Sequence, residues 1–338
     1  MATGERRGFI TGGTWCVDYN KRVSFWPGED GIAEYLGEER AGGGSGCNLA
    51  LDMRRLDRSM PVETISLVGD DEAGRFLLQA ADEAGVDRRQ MQVTSAAGTQ
   101  ITDAFVSEKT KRRVHLFASG AANLLTPEHF DFSATRARWL HLGLPGVHAR
   151  MDGAAGPDAN GWVSVLKKAR AAGLKTNLEL CSLAPEILAR LARPCLPHLD
   201  ALIVNDSEIA ALSSIQTITD GVTDPAACER AARHVLEHGA MQLVAAHWPA
   251  MAVAVTRDGA ALRMASVSVP PDEALGANGA GDAFASGLLY GLHEGWALED
   301  CLRLAHAAAA ASLRSLSTTG AVEDWRACLA LAQNWGWR

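Results

Sequence analysis

The sequence predicts an α/β protein in which helices flank a mostly parallel sheet and a small β lid lies beside that sheet. Three observations predict this class. From about residue 139 onward, short apolar runs alternate with helical patterns. These runs are apolar along their whole length, which is typical of strands covered by helices on both faces. Two N-terminal stretches instead have the patterns of irregular or hairpin strands.

The N-terminal part provides two buried strands and the lid. FITGG (9–13) and ISLVG (65–69) are apolar runs of strand length. Residues 14–42 and 93–120 are predicted to form the lid. Within the second segment, the stretch 101–117 alternates imperfectly around the polar turn SEKTKRR, as a half-exposed hairpin does. We therefore expect a small sheet outside the main one.

The C-terminal part continues the main sheet. WLHLG (139–143), LKTNLEL (174–180) and ALIVN (201–205) are predicted strands. The segments 161–173 and 183–194 between them have apolar residues at helical spacing. The first segment ends in Gly173, and the second begins near Pro185 and ends at Pro194, which are common helix boundaries. Both segments are predicted crossover helices.

Length and charge restrict the domain count and the partners. The chain has 338 residues without an internal repeat or a Pro/Ser-rich linker, so we predict one domain over residues 1–338. Its net charge is -8, and residues 109–113 are its only tight basic run. Because phosphate neutralisation needs clustered Lys and Arg, nucleic acid is not expected as a partner.

The cysteines and the apolar segments indicate a cytoplasmic protein. The seven cysteines are scattered and include no C-x-x-C pair, which argues against a disulfide framework and a zinc ribbon. The N-terminus lacks the apolar region of a signal peptide, and no window of about 18 apolar residues occurs. We therefore expect no membrane partner.

The stretch GANGAGDAFASGLLYGLHEGW (276–296) carries the strongest chemical signal. Its apolar residues recur at helical spacing and predict a helix that begins at about Gly281. At this start, Gly279, Ala280 and Gly281 are small residues that leave backbone N–H groups unobstructed at the positive end of the helix. The pattern suits an anion such as a transferring phosphoryl group.

Asp282 follows in the first turn of this predicted helix. There the helix dipole favours the ionised carboxylate, which can accept a proton from a hydroxyl. A general base beside an anion hole indicates group transfer. The alternative is structural, with Asp282 capping the helix and the glycines making a tight turn.

The same stretch resembles the C-terminal signature of the PfkB (ribokinase-like) carbohydrate kinase family, D-T-x-G-A-G-D-x-F. The matching residues are Gly279, Ala280, Gly281, Asp282 and Phe284. AGGGSGCNLALDMRRL (41–56) is similar to the family's N-terminal G-G-x-x-x-N-x-A element, with matches at Gly43, Gly44, Asn48 and Ala50.

Three further segments resemble the family in the same order along the chain. VGDDEAGRFLLQAADEAGVD (68–87) is similar to the segment that follows the N-terminal element. NDSE (205–208) fits the family's N-x-x-E at the end of a strand, and Gly13 through Asp18 resembles the G-x-x-x-x-D of the first strand. The resemblance covers nearly the whole chain.

The resemblance implies a three-layer αβα fold with a β lid, and transfer of the γ-phosphoryl group of ATP to a hydroxymethyl group with Mg²⁺. It implies that Asp282 is the base and that the anion hole consists of Gly279, Ala280 and Gly281. The implied substrate cradle consists of Asp18, Gly43, Gly44 and Asn48. A carboxylate and an amide suit such a cradle because they hydrogen-bond to hydroxyl groups.

The resemblance also implies sites for the metal and the nucleotide. Glu208 with Asn205 would orient Mg²⁺ through water, because that ion keeps several of its waters. The residues expected at the nucleotide are Asn205, Trp248, Gly279 and Gly281. Trp248 either shields the adenine or packs its own loop.

Two departures from the family pattern affect the nucleotide site. Gly276 stands where the signature has its first Asp, so a polar group near the phosphates or the metal is missing. Residues 247–251 lack both glycines of the family's G-x-x-G turn, which predicts a turn of different shape.

The predicted function is an ATP-dependent kinase that acts on a sugar or a sugar-like polyol. One alternative is a nucleoside kinase, which shares the chemistry and differs in the acceptor pocket. Another is a sugar-binding regulatory protein that has lost phosphoryl transfer through Gly276 and the altered turn. The intact segment from Gly279 to Asp282 favours the enzyme.

The apolar residues of the 101–117 hairpin also predict an assembly. A small sheet outside the main body buries only part of its apolar surface on its own chain, so it needs a partner. We expect a homodimer joined through residues of 14–42 and 93–120. The alternative is a monomer whose lid folds back on its own domain.

Overall fold

The structure is a computed structural model that describes residues 6–110 and 112–338. Its strands are β1 (Phe9–Gly13), β2 (Cys16–Val23), β3 (Tyr35–Gly43), β4 (Val62–Gly69), β5 (Asp87–Thr94), β6 (Ile101–Ser107), β7 (Arg113–Ala118), β8 (Trp139–Gly143), β9 (Lys175–Leu178), β10 (Ala201–Asn205), β11 (Ile218–Thr219), β12 (Val222–Thr223), β13 (Leu243–Trp248), β14 (Met251–Thr256) and β15 (Ala261–Ala265). Its helices are α1 (Ser45–Leu56), α2 (Glu72–Ala84), α3 (Ala149–Asp152), α4 (Gly161–Ala171), α5 (Pro185–Ala192), α6 (Asp206–Ser213), α7 (Pro225–Glu237), α8 (Ala280–Glu294), α9 (Leu298–Ser312) and α10 (Trp325–Trp335).

Within the described residues, nine strands form one sheet in the order β15-β14-β13-β10-β9-β8-β1-β4-β5. All pairs from β13 to β5 are parallel, whereas β14 and β15 pair in antiparallel fashion at one edge. Parallel neighbours require long crossover connections, and helices such as α2, α4 and α5 supply them. The predicted α/β class with a mostly parallel sheet is confirmed.

Helices cover both faces of this sheet and give three layers. Successive side chains of β1 point to opposite faces, so Phe9 packs in one core and Ile10 in the other. The first core includes residues of α1, α2, α8, α9 and α10. The second includes residues of α4, α5, α6 and α7. Two buried faces explain why the central strands are apolar throughout.

Some elements differ from the prediction. β5 was not predicted because its sequence DRRQMQVT is largely polar, as suits a strand at the sheet edge. Residues 93 and 94 therefore belong to the main sheet and not to the lid. α5 gives way to a 3₁₀ turn that continues to His198, since Pro194 and Pro197 cannot donate the hydrogen bonds that an α-helix needs.

The lid is a separate four-stranded sheet in the order β3-β2-β6-β7. Only two residues separate β1 from β2, and only Gly44 separates β3 from α1. These short connections fix the lid above the carboxyl end of β1. The predicted turn between β6 and β7 includes Lys111, which lies outside the described residues. Among the described residues, no helix is both long and apolar enough to cross a membrane.

Candidate active site

The candidate site lies at the carboxyl ends of the central strands, next to the lid. β1, β8 and β10 end there, at Gly13, Gly143 and Asn205. The Thr14 amide donates to the Gly143 carbonyl at 2.9 Å and joins the start of the lid to the end of β8. In open α/β sheets, ligands bind outside the carboxyl ends of the strands.

The start of α8 forms an open cluster of backbone donors. Gly279 precedes the helix with a φ of 73°, and a Cβ at this position would lie 2.1 Å from the Thr318 carbonyl oxygen. Only glycine fits this close approach and this left-handed conformation. No side chain of the described residues caps the first amides of α8. These N–H groups can therefore bind an anion, as the sequence predicts for Gly279, Ala280 and Gly281.

Asp282 lies half-buried in the first turn of α8, close to two polar side chains. Burial raises the pKa of its carboxyl group well above the usual value, and the adjoining carboxyl group of Glu179 raises it further. A hydrogen bond with the Asn48 amide acts in the opposite direction. A carboxylate with a raised pKa is a stronger base, which suits proton abstraction from a hydroxyl.

Glu179 is a site residue that the sequence analysis did not single out. It follows β9 directly, and burial raises the pKa of its carboxyl group to about 7. His141 Nε2 lies 2.9 Å from Glu179 Oε2, and Asn177 Nδ2 lies 2.9 Å from His141 Nδ1. Burial lowers the pKa of His141 to about 4, so the imidazole is neutral at pH 7. A polar residue at the end of a buried predicted strand was the available signal.

Asp18 and Gly43 meet across the β2–β3 pair of the lid. A Cβ at Gly43 would lie 2.0 Å from Asp18 Oδ2, so the absent side chain leaves room for this carboxyl group. Asp18 is 7% exposed, and burial raises its pKa to about 6. Its Oδ1 accepts a hydrogen bond from Cys16 Sγ at 3.4 Å. Thr102 is a second donor to this carboxyl group, which can accept further hydrogen bonds from hydroxyl groups of a ligand.

The start of α1 adds Gly44 and Asn48 to the same region. Gly44 has a φ of 87°, and a Cβ there would lie 2.4 Å from Thr14 Cγ2. The Thr318 hydroxyl lies 2.9 Å from Asn48 Oδ1 and fixes the orientation of the amide. Burial raises the pKa of the Cys47 thiol, and the charges of Asp18, Asp52 and Asp282 raise it further, so these carboxyl groups lie in the surroundings of one residue. No sequence signal pointed to Thr318.

A cleft of about 390 Å³ adjoins the start of α8. It is lined largely by apolar and aromatic groups, and also by Asn205, Ala280 and Gly281. The His247 and Phe284 rings, 4.6 Å apart, form part of this wall. Trp248 lines the cleft and is 9% exposed because it also packs in the core. An apolar cleft that ends at open backbone amides fits a nucleotide with its phosphates towards α8.

The turn that lacks the family glycines is short. β13 and β14 are joined by Pro249 and Ala250 alone. Ser266 secures both residues, since its hydroxyl donates to the Pro249 carbonyl at 2.8 Å and its amide to the Ala250 carbonyl at 2.9 Å. A two-residue hairpin turn thus forms the part of the cleft wall that Pro249 lines.

Asn205 and Glu208 form a capping box at the start of α6. Asn205 Oδ1 accepts from the Glu208 amide at 2.8 Å, and Glu208 Oε2 accepts from the Asn205 amide at 2.9 Å. Burial raises the pKa of Glu208 to about 7, and the charge of Asp282 adds to this effect. The motif therefore orders its own helix and also places a carboxyl group near Asp282.

The donor set fits a magnesium ion bound through water and phosphate oxygens. Burial raises the pKa of Asp282, Glu179 and Glu208, and no Lys or Arg of the described residues forms an ion pair with them. A divalent cation would offset this negative charge. No cluster of three His, Cys, Asp or Glu side chains in residues 6–110 and 112–338 is close enough to chelate a metal directly. Mg²⁺ commonly retains waters and binds substrate phosphates in such sites.

Gly276 lies in a loop fixed by main-chain contacts. Its amide donates to the Leu313 carbonyl at 3.2 Å, and a Cβ at Gly276 would lie 3.2 Å from the Ser315 carbonyl oxygen. The loop that leads to the anion hole is thus ordered by backbone contacts in place of the missing Asp side chain.

Comparison with known sequences gives one consistent result. The family described as pfkB family carbohydrate kinase matches residues 22–325. A 5-dehydro-2-deoxygluconokinase from Geobacillus thermodenitrificans is 25% identical over 321 residues, which cover 93% of this chain and 89% of that protein. An adenosine kinase from Schizosaccharomyces pombe is 24% identical over 249 residues, with coverage of 71% and 69%.

Solved structures share the fold. Arabidopsis thaliana ribokinase, complexed with ribose and ATP, superposes with a TM-score of 0.78 at 18% identity, covering 97% of this chain and 99% of that chain. A nucleoside kinase from Methanocaldococcus jannaschii superposes with a TM-score of 0.73 at 17% identity, covering 98% and 100%. These likenesses confirm the ribokinase-like architecture with its small β lid.

Proposed function

Because the chain belongs to the pfkB family of carbohydrate kinases, which are ATP-using phosphotransferases with an alcohol acceptor, we propose that it phosphorylates a hydroxyl of a sugar or sugar-like small molecule with Asp282 as general base. One observation carries this proposal most directly. The uncapped amides at the start of α8 and the Asp282 carboxyl group lie within one helical turn. An anion hole and a base at that spacing suit transfer of a phosphoryl group to a hydroxyl.

The acceptor binds between the lid and the start of α1. Asp18 accepts hydrogen bonds from acceptor hydroxyl groups, and the Asn48 amide orients a hydroxyl towards the base. The glycines at 43 and 44 keep Asp18 and Thr14 in place beside the acceptor, because a side chain at either position would collide with one of them. The lid excludes water from the transferring group.

Asp282 then takes the proton of the reacting hydroxyl. ATP supplies the phosphoryl group, and Mg²⁺, where bound, offsets the charge of the phosphates. The amides of Gly279, Ala280 and Gly281 stabilise the negative charge that develops on the phosphoryl oxygens. Asn205, Glu208 and Trp248 contribute at the metal and nucleotide end of the cleft.

The acceptor class is proposed from the relatives and the cradle. Curated relatives include a 5-dehydro-2-deoxygluconokinase and an ATP-dependent ribose-1-phosphate kinase as well as an adenosine kinase, each at 28% identity or less. The polar cradle of Asp18 and Asn48 matches a polyhydroxylated acceptor. The nucleoside kinase alternative rests on the adenosine kinase likeness and shares the same base.

We also propose that the enzyme is a homodimer joined through the lid. The edge strand β7 exposes Val114 by 45%, Leu116 by 61% and Phe117 by 53%. Exposed apolar residues on an unpaired strand edge favour association with a second sheet. Pairing of two lids about a twofold axis would cover them.

A panel assay tests the proposed function. ADP release with ATP and Mg²⁺ is measured with neutral monosaccharides, sugar acids and nucleosides, with an acceptor-free reaction as control. At least one sugar class should raise ADP release well above the control and yield an equal amount of phosphorylated product. Removal of Mg²⁺ with EDTA should abolish the reaction. If the folded protein phosphorylates only nucleosides, its acceptor is a nucleoside and the sugar assignment is wrong. If the folded protein phosphorylates no acceptor of the panel, the proposed function is contradicted.

A further inference from the structure

A second cavity, of about 300 Å³, lies between the inner face of the lid and the loop that leads to the anion hole. The lid contributes Asn20 and Arg22 from β2. These residues pair with Ala104 and Val106 of β6, which also line the cavity. Because residues two apart share a face of a strand, one side of the lid forms this wall. The opposite wall consists of residues 275–278 and Leu316.

The charged residues that line this cavity are all basic. Its lining includes Lys21, Arg22 and Arg112, and none of its lining residues is acidic. Lys21 is neutralised by Asp103 at 2.5 Å and by Glu38 at 3.7 Å. Arg22 Nη1 lies 3.6 Å from Glu108 Oε1 and its Nη2 donates to the Leu36 carbonyl at 3.4 Å, whereas Arg112 forms no ion pair with any described residue. Arg112 is therefore the basic lining residue whose charge no described carboxylate offsets in an ion pair, and it contributes a positive potential at the cavity.

The cavity also contains a buried donor without an acceptor. Asn20 is 4% exposed, and its Nδ2 has no hydrogen-bond partner among the residues that the structure describes. Its Oδ1 accepts from Asn278 Nδ2 at 3.3 Å, which fixes the amide. A buried N–H group without a partner costs free energy, so an acceptor at this position would be favourable.

The position of the cavity connects it with the acceptor. Asn20 lies two residues after Asp18 on β2, so both side chains point to the inner side of the lid. On the other wall, Asn278 immediately precedes the anion hole. A ligand that contacts Asp18 and reaches Asp282 therefore has this cavity beside it.

We propose that this cavity binds the carboxylate of an acidic acceptor, with Asn20 Nδ2, Arg22 and Arg112 as donors, and that the enzyme acts on sugar acids. The inference rests on the kinase function proposed above and names its acceptor class. Arginine suits this role because its planar guanidinium group binds a carboxylate through two parallel hydrogen bonds. Neutral sugars would leave the arginines and the Asn20 amide without an anion.

Calorimetric binding of gluconate and sorbitol tests the cavity apart from catalysis. The two probes share a six-carbon polyol chain and differ in the carboxylate. The wild-type protein should bind gluconate about tenfold or more tightly than sorbitol. Arg22→Gln and Arg112→Gln should each weaken gluconate binding about tenfold and leave sorbitol binding unchanged. Arg22→Lys should retain part of the preference for gluconate over sorbitol, and this remaining preference would show that the lid of the variant folds.

Lys109→Gln is the matched control, because Lys109 is exposed in the same lid hairpin but does not line the cavity. Equal binding of gluconate and sorbitol to the wild type would overturn the inference. Equal losses of binding for gluconate and sorbitol in the arginine variants would also overturn it. A raised KM for ATP alone in these variants would assign the cavity to the nucleotide and would likewise overturn the inference. Selective gluconate binding without phosphorylation of any acceptor would support the cavity and contradict the kinase proposal.

Discussion

The half-buried carboxyl group of Asp282 adjoins that of Glu179, and this neighbour helps to set the proton affinity of Asp282. Burial and Glu179 both raise the pKa of Asp282, and burial raises the pKa of Glu179 to about 7. His141 lies behind Glu179 and is neutral because burial lowers its pKa to about 4. The base therefore titrates as part of a pair that can share one proton.

Substitution of Glu179 tests this pairing. Glu179→Gln removes the charge that raises the pKa of Asp282 but keeps a group able to hydrogen-bond. The pKa of Asp282 should fall, so the acid limb of the pH profile of kcat/KM should move to lower pH. Glu186→Gln is the control, because Glu186 is an exposed glutamate at the start of α5. Superimposable acid limbs for wild type and Glu179→Gln would contradict the pairing.

The site residues differ in how far the sequence could predict them. Gly279 to Asp282 are contiguous, so one local motif carries both the anion hole and the base. Glu179 and Thr318 reach the site from segments more than a hundred residues apart, and their roles depend on how β9 and the loop after α9 pack. Local patterns do not contain that information.

At the scale of elements, α1 and α8 pack against each other through polar as well as apolar residues. Asn48 and Asp52 lie one turn apart on α1, and Asp282 and Ser286 lie one turn apart on α8. Asp52 is fully buried, and a hydrogen bond with the Ser286 side chain acts to lower the pKa of its carboxyl group. Burial and the charge of Asp282 raise the pKa of Asp52 well above its usual value.

The pKa of Asp52 predicts a pH-dependent effect on stability. Because the folded-state pKa is raised, the contribution of this group to stability is complete below about pH 3.8 and is lost as the pH rises through the folded-state value. Asp52→Asn cannot ionise and should be more stable than wild type at pH 8, by about 1–3 kcal/mol. Denaturant unfolding at pH 5 and pH 8 measures this. A difference that does not grow with pH would contradict the assignment.

The bounds of a strand could be predicted from the sequence where the whole strand is buried. β1, β8 and β10 have the bounds that their apolar runs predict, because helices cover both faces of these strands. β5 was missed because an edge strand exposes half of its side chains and resembles a polar loop. Pattern alone does not distinguish these two cases.

At the scale of the whole molecule, the lid connects the acceptor site to the proposed dimer. One side of the lid sheet presents Asp18 and Asn20 to the site, and its edge strand β7 exposes apolar side chains. Association through that edge would hold the lid over the acceptor. The same sheet would then serve both binding and assembly.

A single charge on β7 tests the dimer. Val114→Asp places a carboxylate on the exposed edge, where burial of an unpaired charge disfavours association. Light scattering at micromolar concentration should give twice 35.9 kDa for wild type and 35.9 kDa for the variant. A wild-type mass of one chain would rule out a stable dimer. A double mass that persists in Val114→Asp would place the interface elsewhere.

The kinetics of Asp282→Asn, measured with the best acceptor of the panel, test whether Asp282 is the general base. Asparagine preserves the size of the side chain but cannot take the proton of the reacting hydroxyl. We predict that kcat for the phosphorylated product falls about 10²–10⁴-fold, while the KM values for acceptor and ATP change little. Turnover of the folded variant within about twofold of wild type would show that Asp282 is not the base and would contradict the proposed mechanism.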